Sequence, residues 1–259
     1  MGKKIDFYYF SGTGNTQFVV NQAVKSLETY GIQVSLKLIE KGYISLEPTN
    51  ELWIAFPANS QSVSPFIWRF LKSLPYSKGT LVHVLVTLNN SVHILSPLYS
   101  LLTKKGYLPT SACEISMPNN MVDSDFGQDK DLKKLKYAIE KVHRFVHNTM
   151  AGNFSWKSEF KGSKCISLLS RETRLPWISM RLMLKLETIP SNCIDCGMCA
   201  KQCPVKNIRK VNQVFIHGSD CQFCMKCVAK CPKKAIQVKG KKNIKFQQTQ
   251  KDAYISTTE

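Results

Sequence analysis

From Lys3 to about Met150, short apolar runs alternate with amphipathic stretches. Ile5–Phe10, Val34–Ile39, Leu52–Pro57, Leu81–Leu88 and Ala112–Met117 are brief and rich in Val, Ile, Leu or aromatic residues, and they predict strands. Between them, windows at about 15–30, 65–74, 93–106 and 128–150 carry apolar residues three or four apart, which predicts helices. The last window shows the period most fully, in Leu132, Leu135, Ile139, Val142, Phe145 and Val146. Strands that alternate with helices imply a parallel sheet covered on both faces, here a five-stranded doubly wound α/β domain over residues 1–151. His83, inside a strand run, and Cys113, flanked by strand residues, read as core side chains.

Near residue 151 this pattern stops. Residues 152–190 hold Gly152, Gly162, Pro176 and scattered basic residues, and read as a basic connector with a helix in Leu175–Leu186. Leu175, Trp177, Ile178, Leu182 and Met183 would dock that helix between two domains, or else carry it to a membrane surface. A cysteine-rich segment at 191–240 and a polar tail at 241–259 complete the chain.

Composition narrows the classes. With 259 residues, 43% of them hydrophobic, the chain can bury a core over most of its length. No apolar run reaches the roughly 18 residues that a membrane span requires. The beginning, Met1 to Asp6, has neither the flanks of a signal peptide nor a myristoylation motif, so a cytoplasmic protein is expected. The net charge of +18 would suit nucleic acid, an anionic membrane surface or an acidic protein. Its basic residues are dispersed rather than gathered with base-stacking aromatics, which argues against nucleic acid. Eight of the ten cysteines lie between Cys193 and Cys231, a crowding that points to metal ligation rather than disulfides.

Cys193-x2-Cys196-x2-Cys199-x3-Cys203-Pro204 recurs 28 residues later as Cys221-x2-Cys224-x2-Cys227-x3-Cys231-Pro232. Three thiolates spaced by two residues can wrap one face of a cluster, while the fourth, before a proline, serves the other cluster. The expected sets are Cys193, Cys196, Cys199 and Cys231 on one [4Fe–4S] cluster, and Cys221, Cys224, Cys227 and Cys203 on the second. Zinc also takes thiolates, but zinc ribbons use two CxxC pairs rather than a run of four cysteines ending in Cys-Pro. Residues 190–240 resemble bacterial-type two-cluster ferredoxins, including Asn207-Ile208 and Lys234-Ala235-Ile236 after the motifs and a strand at Val214–His217. That likeness implies two pseudo-symmetric halves with clusters close enough for rapid one-electron transfer.

The first strand run is followed by Ser11-Gly12-Thr13-Gly14-Asn15-Thr16 and then a helix-like window. A phosphate can sit at such a helix start, on backbone N–H groups and hydroxyls, with the glycines allowing close approach. The Walker lysine and the GxGxxG spacing are both absent, which disfavours nucleoside triphosphates and NAD. The loop is instead similar to the phosphate loop of flavodoxins, which implies FMN at the C-terminal strand ends. Two further loops would then hold the ring: Pro57-Ala58-Asn59-Ser60, running on to Ser62, and Thr87-Leu88-Asn89-Asn90, running on to His93. Neither loop has the Trp or Tyr that usually flanks the flavin, since Phe66 and Trp68 fall in the next helix, so an open flavin face is expected.

The whole resembles the EFR-type flavodoxin–ferredoxin fusion proteins of anaerobes. The likeness rests on Ser11–Thr16, Phe56-Pro57 to Leu74-Pro75, Lys105-Gly106-Tyr107, Met117-Pro118-Asn119-Asn120 and both cysteine motifs. It implies an electron-transfer protein that couples FMN to two [4Fe–4S] clusters and an external redox partner. An acidic ferredoxin or flavodoxin would suit the basic charge. The competing class is a flavin-dependent reductase that binds a small organic acceptor over the open ring.

Overall fold

The computed structural model describes residues 4–42, 51–89, 92–119, 129–157 and 162–239. The predicted 241–259 tail lies outside these. Strands β1 (Lys4–Tyr9), β2 (Gln33–Leu38), β3 (Glu51–Pro57), β4 (Leu81–Leu88) and β5 (Leu108–Ser116) alternate with helices α1 (Asn15–Glu28), α2 (Pro65–Ser73), α3 (Leu95–Lys104) and α4 (Asp129–Met150). All four strand pairings are parallel, in the order β2-β1-β3-β4-β5. This is the flavodoxin-like doubly wound order, in which crossovers put helices on both faces.

Side-chain alternation divides the core. Tyr8, Phe10, Ile54, Phe56, Val84 and Val86 face one way, against α2 and α3. Phe7, Tyr9, Trp53, Ala55 and Leu85 face the other, against α1 and α4. His83 is buried beside Trp53, their ring centroids 4.8 Å apart, and Cys113 is buried on β5, as core residues should be. Burial pushes the Cys113 thiol up to about 11. After α4 the chain returns along the free edge of β5, where the Ala112 N–H donates to Ser155 O at 2.8 Å, so that edge is covered.

The connector holds two helices where the sequence predicts one: α5 (Lys164–Glu172) and α6 (Leu175–Met183). On α5, Ser167 and Ser170 are fully buried while Ile166 and Leu168 are exposed, the reverse of ordinary amphipathicity. Ser167 Oγ donates to His93 O at 2.7 Å, Ser170 Oγ to Ser60 O at 2.8 Å, and the Ser163 N–H to Gln61 Oε1 at 2.7 Å. Of the five docking residues expected on the second helix, only Trp177 is buried. Leu175, Leu182 and Met183 are 62%, 80% and 82% exposed and Ile178 lies at the surface.

The cysteine-rich unit follows: β6 (Leu186–Thr188), α7 (Met198–Lys201), β7 (Ile208–Val211), β8 (Val214–His217), α8 (Lys226–Ala229) and β9 (Ile236–Val238). The antiparallel pair β6–β9 and the β7–β8 hairpin frame it, and the strand predicted at Val214–His217 is β8. Trp177 is lent to its small core, and Trp177 Nε1 donates to Ser170 O at 2.8 Å. Among the described residues, no helix is long and apolar enough to cross a membrane.

Candidate functional site

The C-terminal ends of β1, β3, β4 and β5 open onto one cavity of about 80 Å³. Its walls are Ser11, Gly12, Thr13, Asn15 and Thr16 after β1, Pro57, Ala58 and Asn59 after β3, Thr87, Leu88 and Asn89 at the end of β4, and Pro118 and Asn119 after β5. Of the residues expected to hold a flavin, Gly14 and Ser60 stand outside this wall, and Asn90 lies outside the described residues. Gly14 caps α1 at φ 100°, a left-handed conformation suited to glycine, and its N–H donates to Ser11 Oγ at 3.1 Å. Ser60 and Gln61, at φ 50° and 61°, form a tight turn between Asn59 and Ser62, whose backbones exchange hydrogen bonds of 2.8 and 3.0 Å. That turn carries Ser60 toward α5 and away from the cavity.

The loop chemistry fits a phosphate. Helix α1 runs 14 residues with no acidic residue in its first turn, so its N-terminal N–H groups and dipole are available to an anion. Thr16 and Thr87 are buried with their hydroxyl oxygens 2.7 Å apart, and Asn15 Nδ2 donates to Pro118 O at 2.9 Å, which ties the loops together. Phe223, Cys224 and Met225 of the cysteine-rich unit complete the cavity, with Phe223 and Met225 buried. The space left is below the few hundred Å³ of ordinary small-molecule pockets, so a whole FMN requires these side chains to swing out or the unit to back away.

The seam between the units is tight. A Cβ on Gly12 would lie 1.7 Å from the Cys224 carbonyl oxygen, so only glycine permits this approach. Buried Gln222 accepts the otherwise uncapped Phe66 N–H at the start of α2, at 3.0 Å. Lys226 pairs with Glu40 and lies 5.5 Å from the Phe10 ring centroid.

The cysteines fall into two groups. Cys193, Cys196, Cys199 and Cys231 surround a cavity of about 20 Å³. The Cys199 thiol is raised by burial first, and further by Cys193 and Cys231. Burial pushes Cys224 up to about 12, with Cys221 and Cys203 adding to the shift, and Cys227 rises by burial and then by Cys224, Cys221 and Cys203. Cys203 thus stands with the second motif and Cys231 with the first. The 28-residue repeat extends to the backbone: Asp195 and Phe223, Gly197 and Met225, and Lys206 and Lys234 all take positive φ. The Asn207 N–H donates to Cys203 Sγ at 3.3 Å, and Ala235 N–H to Cys231 Sγ at 3.2 Å, bonds that tune the potential of a thiolate-bound cluster. No disulfide joins any of the ten cysteines. Cys165 is exposed on α5, and His93 is off the cavity wall, its imidazole pKa lowered by burial and by Arg171 and Lys164.

Residues 192–236 match the family model of the 4Fe-4S dicluster domain. With the strand order already described, that match decides the architecture. The chain fits a flavodoxin–ferredoxin fusion. None of the curated proteins matches it in sequence. Among solved structures it is similar to the Fusobacterium nucleatum flavodoxin bound to flavin mononucleotide, at 13% identity over 60% of this chain and 100% of that one, TM-score 0.41. A short-chain flavodoxin associated with a non-canonical PDU bacterial microcompartment gives 13% identity, 59% and 99% coverage and 0.41. A flavone reductase gives 9% identity, 64% and 70% coverage and 0.41. The fold of the fusion follows from its strand order, not from these likenesses.

Proposed function

We propose that this fusion carries electrons between FMN in the strand-end cavity, two [4Fe–4S] clusters and an external redox protein in anaerobic metabolism. The observation that carries the reading is the seam: the backbone of Cys224, a cluster-motif cysteine, rests on Gly12 of the phosphate loop and forms part of the flavin cavity. FMN exchanges one or two electrons and each cluster one, so joining them converts between the two. The protein's part is positional. Ser11, Thr13, Thr16 and the α1 N-terminus would hold the phosphate, Pro57–Asn59 and Thr87–Asn89 would border the ring, and Phe223 and Met225 would exclude water from it. Cys221, Cys224, Cys227 and Cys203 would ligate the cluster nearer the flavin. Cys193, Cys196, Cys199 and Cys231 would ligate the other, farther from the seam.

A run of four cysteines ending in Cys-Pro, repeated once, favours a multi-iron core over zinc at each cysteine set. The reductase alternative draws on an exposed flavin face, whereas Phe223 and Met225 line the end of the cavity where that face would lie. An acidic carrier suits the region 191–240, where nine basic and two acidic residues give 9 − 2 = +7 before cofactors.

Anaerobic purification and assay should find one flavin with about eight iron and eight sulfide per chain, as two clusters require. Cys203→Ser should then abolish the paramagnetic signal of the cluster held by Cys221, Cys224 and Cys227 and leave the other. Protein that never retains flavin, or loss of the other cluster's signal, would contradict the reading.

A further inference from the structure

On the other side of the phosphate loop from the flavin cavity lies a second cleft of about 660 Å³, formed by both units. Lys41 follows β2, Lys201 lies on α7, Lys206 follows the Cys203-Pro204 turn, Lys226 opens α8 and Lys230 follows it; all five line this cleft with a single carboxylate, Glu40. Glu40 is committed to Lys226, in a pair whose side chains are 12% and 13% exposed. Among the described residues, no carboxylate pairs with the other four lysines.

Lys41, Lys201, Lys206 and Lys230 are exposed around the cleft and, among the described residues, have no carboxylate partner; in a concave seam with protein walls their field is concentrated on the cleft. The cleft also has an apolar side, in Tyr9, Leu38, Met198 and Pro204, and its floor is the glycine-rich backbone at Gly12 and Gly14. Its volume lies within the range of small-molecule sites, about 300–1,000 Å³.

We propose that this cleft binds a small organic polyanion, a molecule with at least two phosphate or carboxylate groups on a compact apolar body. Lys206 and Lys230 receive its charges from the cysteine-rich side and Lys41 from the sheet side, while Tyr9 and Met198 pack against the body. Because Cys203 is part of the wall, the ligand lies beside the cysteine set nearer the flavin cavity. The inference stands on the cleft and its lysines and does not require the electron-transfer reading.

Calorimetry on the full-length, iron-loaded protein tests it, with fructose 1,6-bisphosphate as the phosphate probe and tricarballylate as the carboxylate probe. One site per chain is expected for at least one of them, and the tighter probe names the chemistry. Joint substitution Lys206→Ala and Lys230→Ala should weaken binding at least tenfold. The charge-matched change Lys133→Ala and Lys136→Ala, on the exposed face of α4, should leave it within twofold. Iron content and far-ultraviolet dichroism confirm that both variants are folded, and the iron count separately judges the cluster reading. Equal losses in the two variants would reduce the effect to net charge and overturn the site. So would absence of binding by either probe at about 0.02 M ionic strength. Binding of an acidic ferredoxin that depends on Lys206 and Lys230, with neither small probe bound, would make the cleft a protein-docking surface and overturn it as well.

Discussion

The two units of this chain are held together by different physics. The sheet unit buries Trp53, Tyr8, Phe7, Phe10 and Phe56 almost completely, in two apolar layers on either side of five parallel strands. The cysteine-rich unit has one small cluster, which borrows Trp177 from the connector and counts Cys199 and Cys227 among its buried members. Its strands are three or four residues long, and its helices α7 and α8 have four residues each. A core that small cannot offset the entropy of ordering its chain, so metal ligation must supply the difference. One unit is a hydrophobic fold with a site at its rim, whereas the other is organised around its site.

Iron removal is the strongest way to break this contrast. Structural zinc held by thiolates contributes on the order of 10 kcal/mol to the folding of small domains, and cluster ligation by four thiolates should act in the same direction. Anaerobic chelation should therefore open residues 186–238 to protease while the sheet still melts cooperatively. A cysteine-rich unit that stays protected without iron would refute the contrast.

Gly12→Ala tests the seam with a smaller effect. Its Cβ would lie 1.7 Å from the Cys224 carbonyl oxygen, which is backbone and cannot rotate away, so the units must part by more than an ångström. We expect a cost of about 1–3 kcal/mol at the contact, faster proteolysis of the connector and near-unchanged melting of the sheet unit. An unaltered cleavage rate would show that the two units do not depend on this contact.

The pH response sharpens the comparison further through one buried group in each unit. Burial pushes His217 on β8 down to about 4. As pH falls from about 6.5 toward 4 the unfolded chain gains a proton that the folded one refuses, and up to about 3 kcal/mol is lost from the cysteine-rich unit. Cys113 in the sheet is pushed up to about 11. There the unfolded thiol ionises first, so up to about 3 kcal/mol is lost as pH rises from about 9 to 11. Denaturation midpoints across pH should show the acid limb disappear in His217→Gln and the alkaline limb in Cys113→Ala. A limb that survives its substitution assigns the titration to another group.

What the sequence determined by itself was whatever depends on short spacings. Strand and helix periods, the glycine loop after β1 and the 28-residue cysteine repeat are local patterns, and each of these elements lies where its pattern places it. What the tertiary structure decided was every contact between distant segments. Helix α5 was illegible because it docks through Ser167 and Ser170 while Ile166 and Leu168 face solvent, so no apolar period marks it. Ser60 left the cavity because a turn at positive φ, stabilised by α5, points it elsewhere. The flavin face was expected open because aromatics were sought within the neighbouring loops. Phe223, which lines that end of the cavity, lies more than two hundred positions from Gly12, and its segment comes this close because glycine there lets the Cys224 backbone rest on the loop.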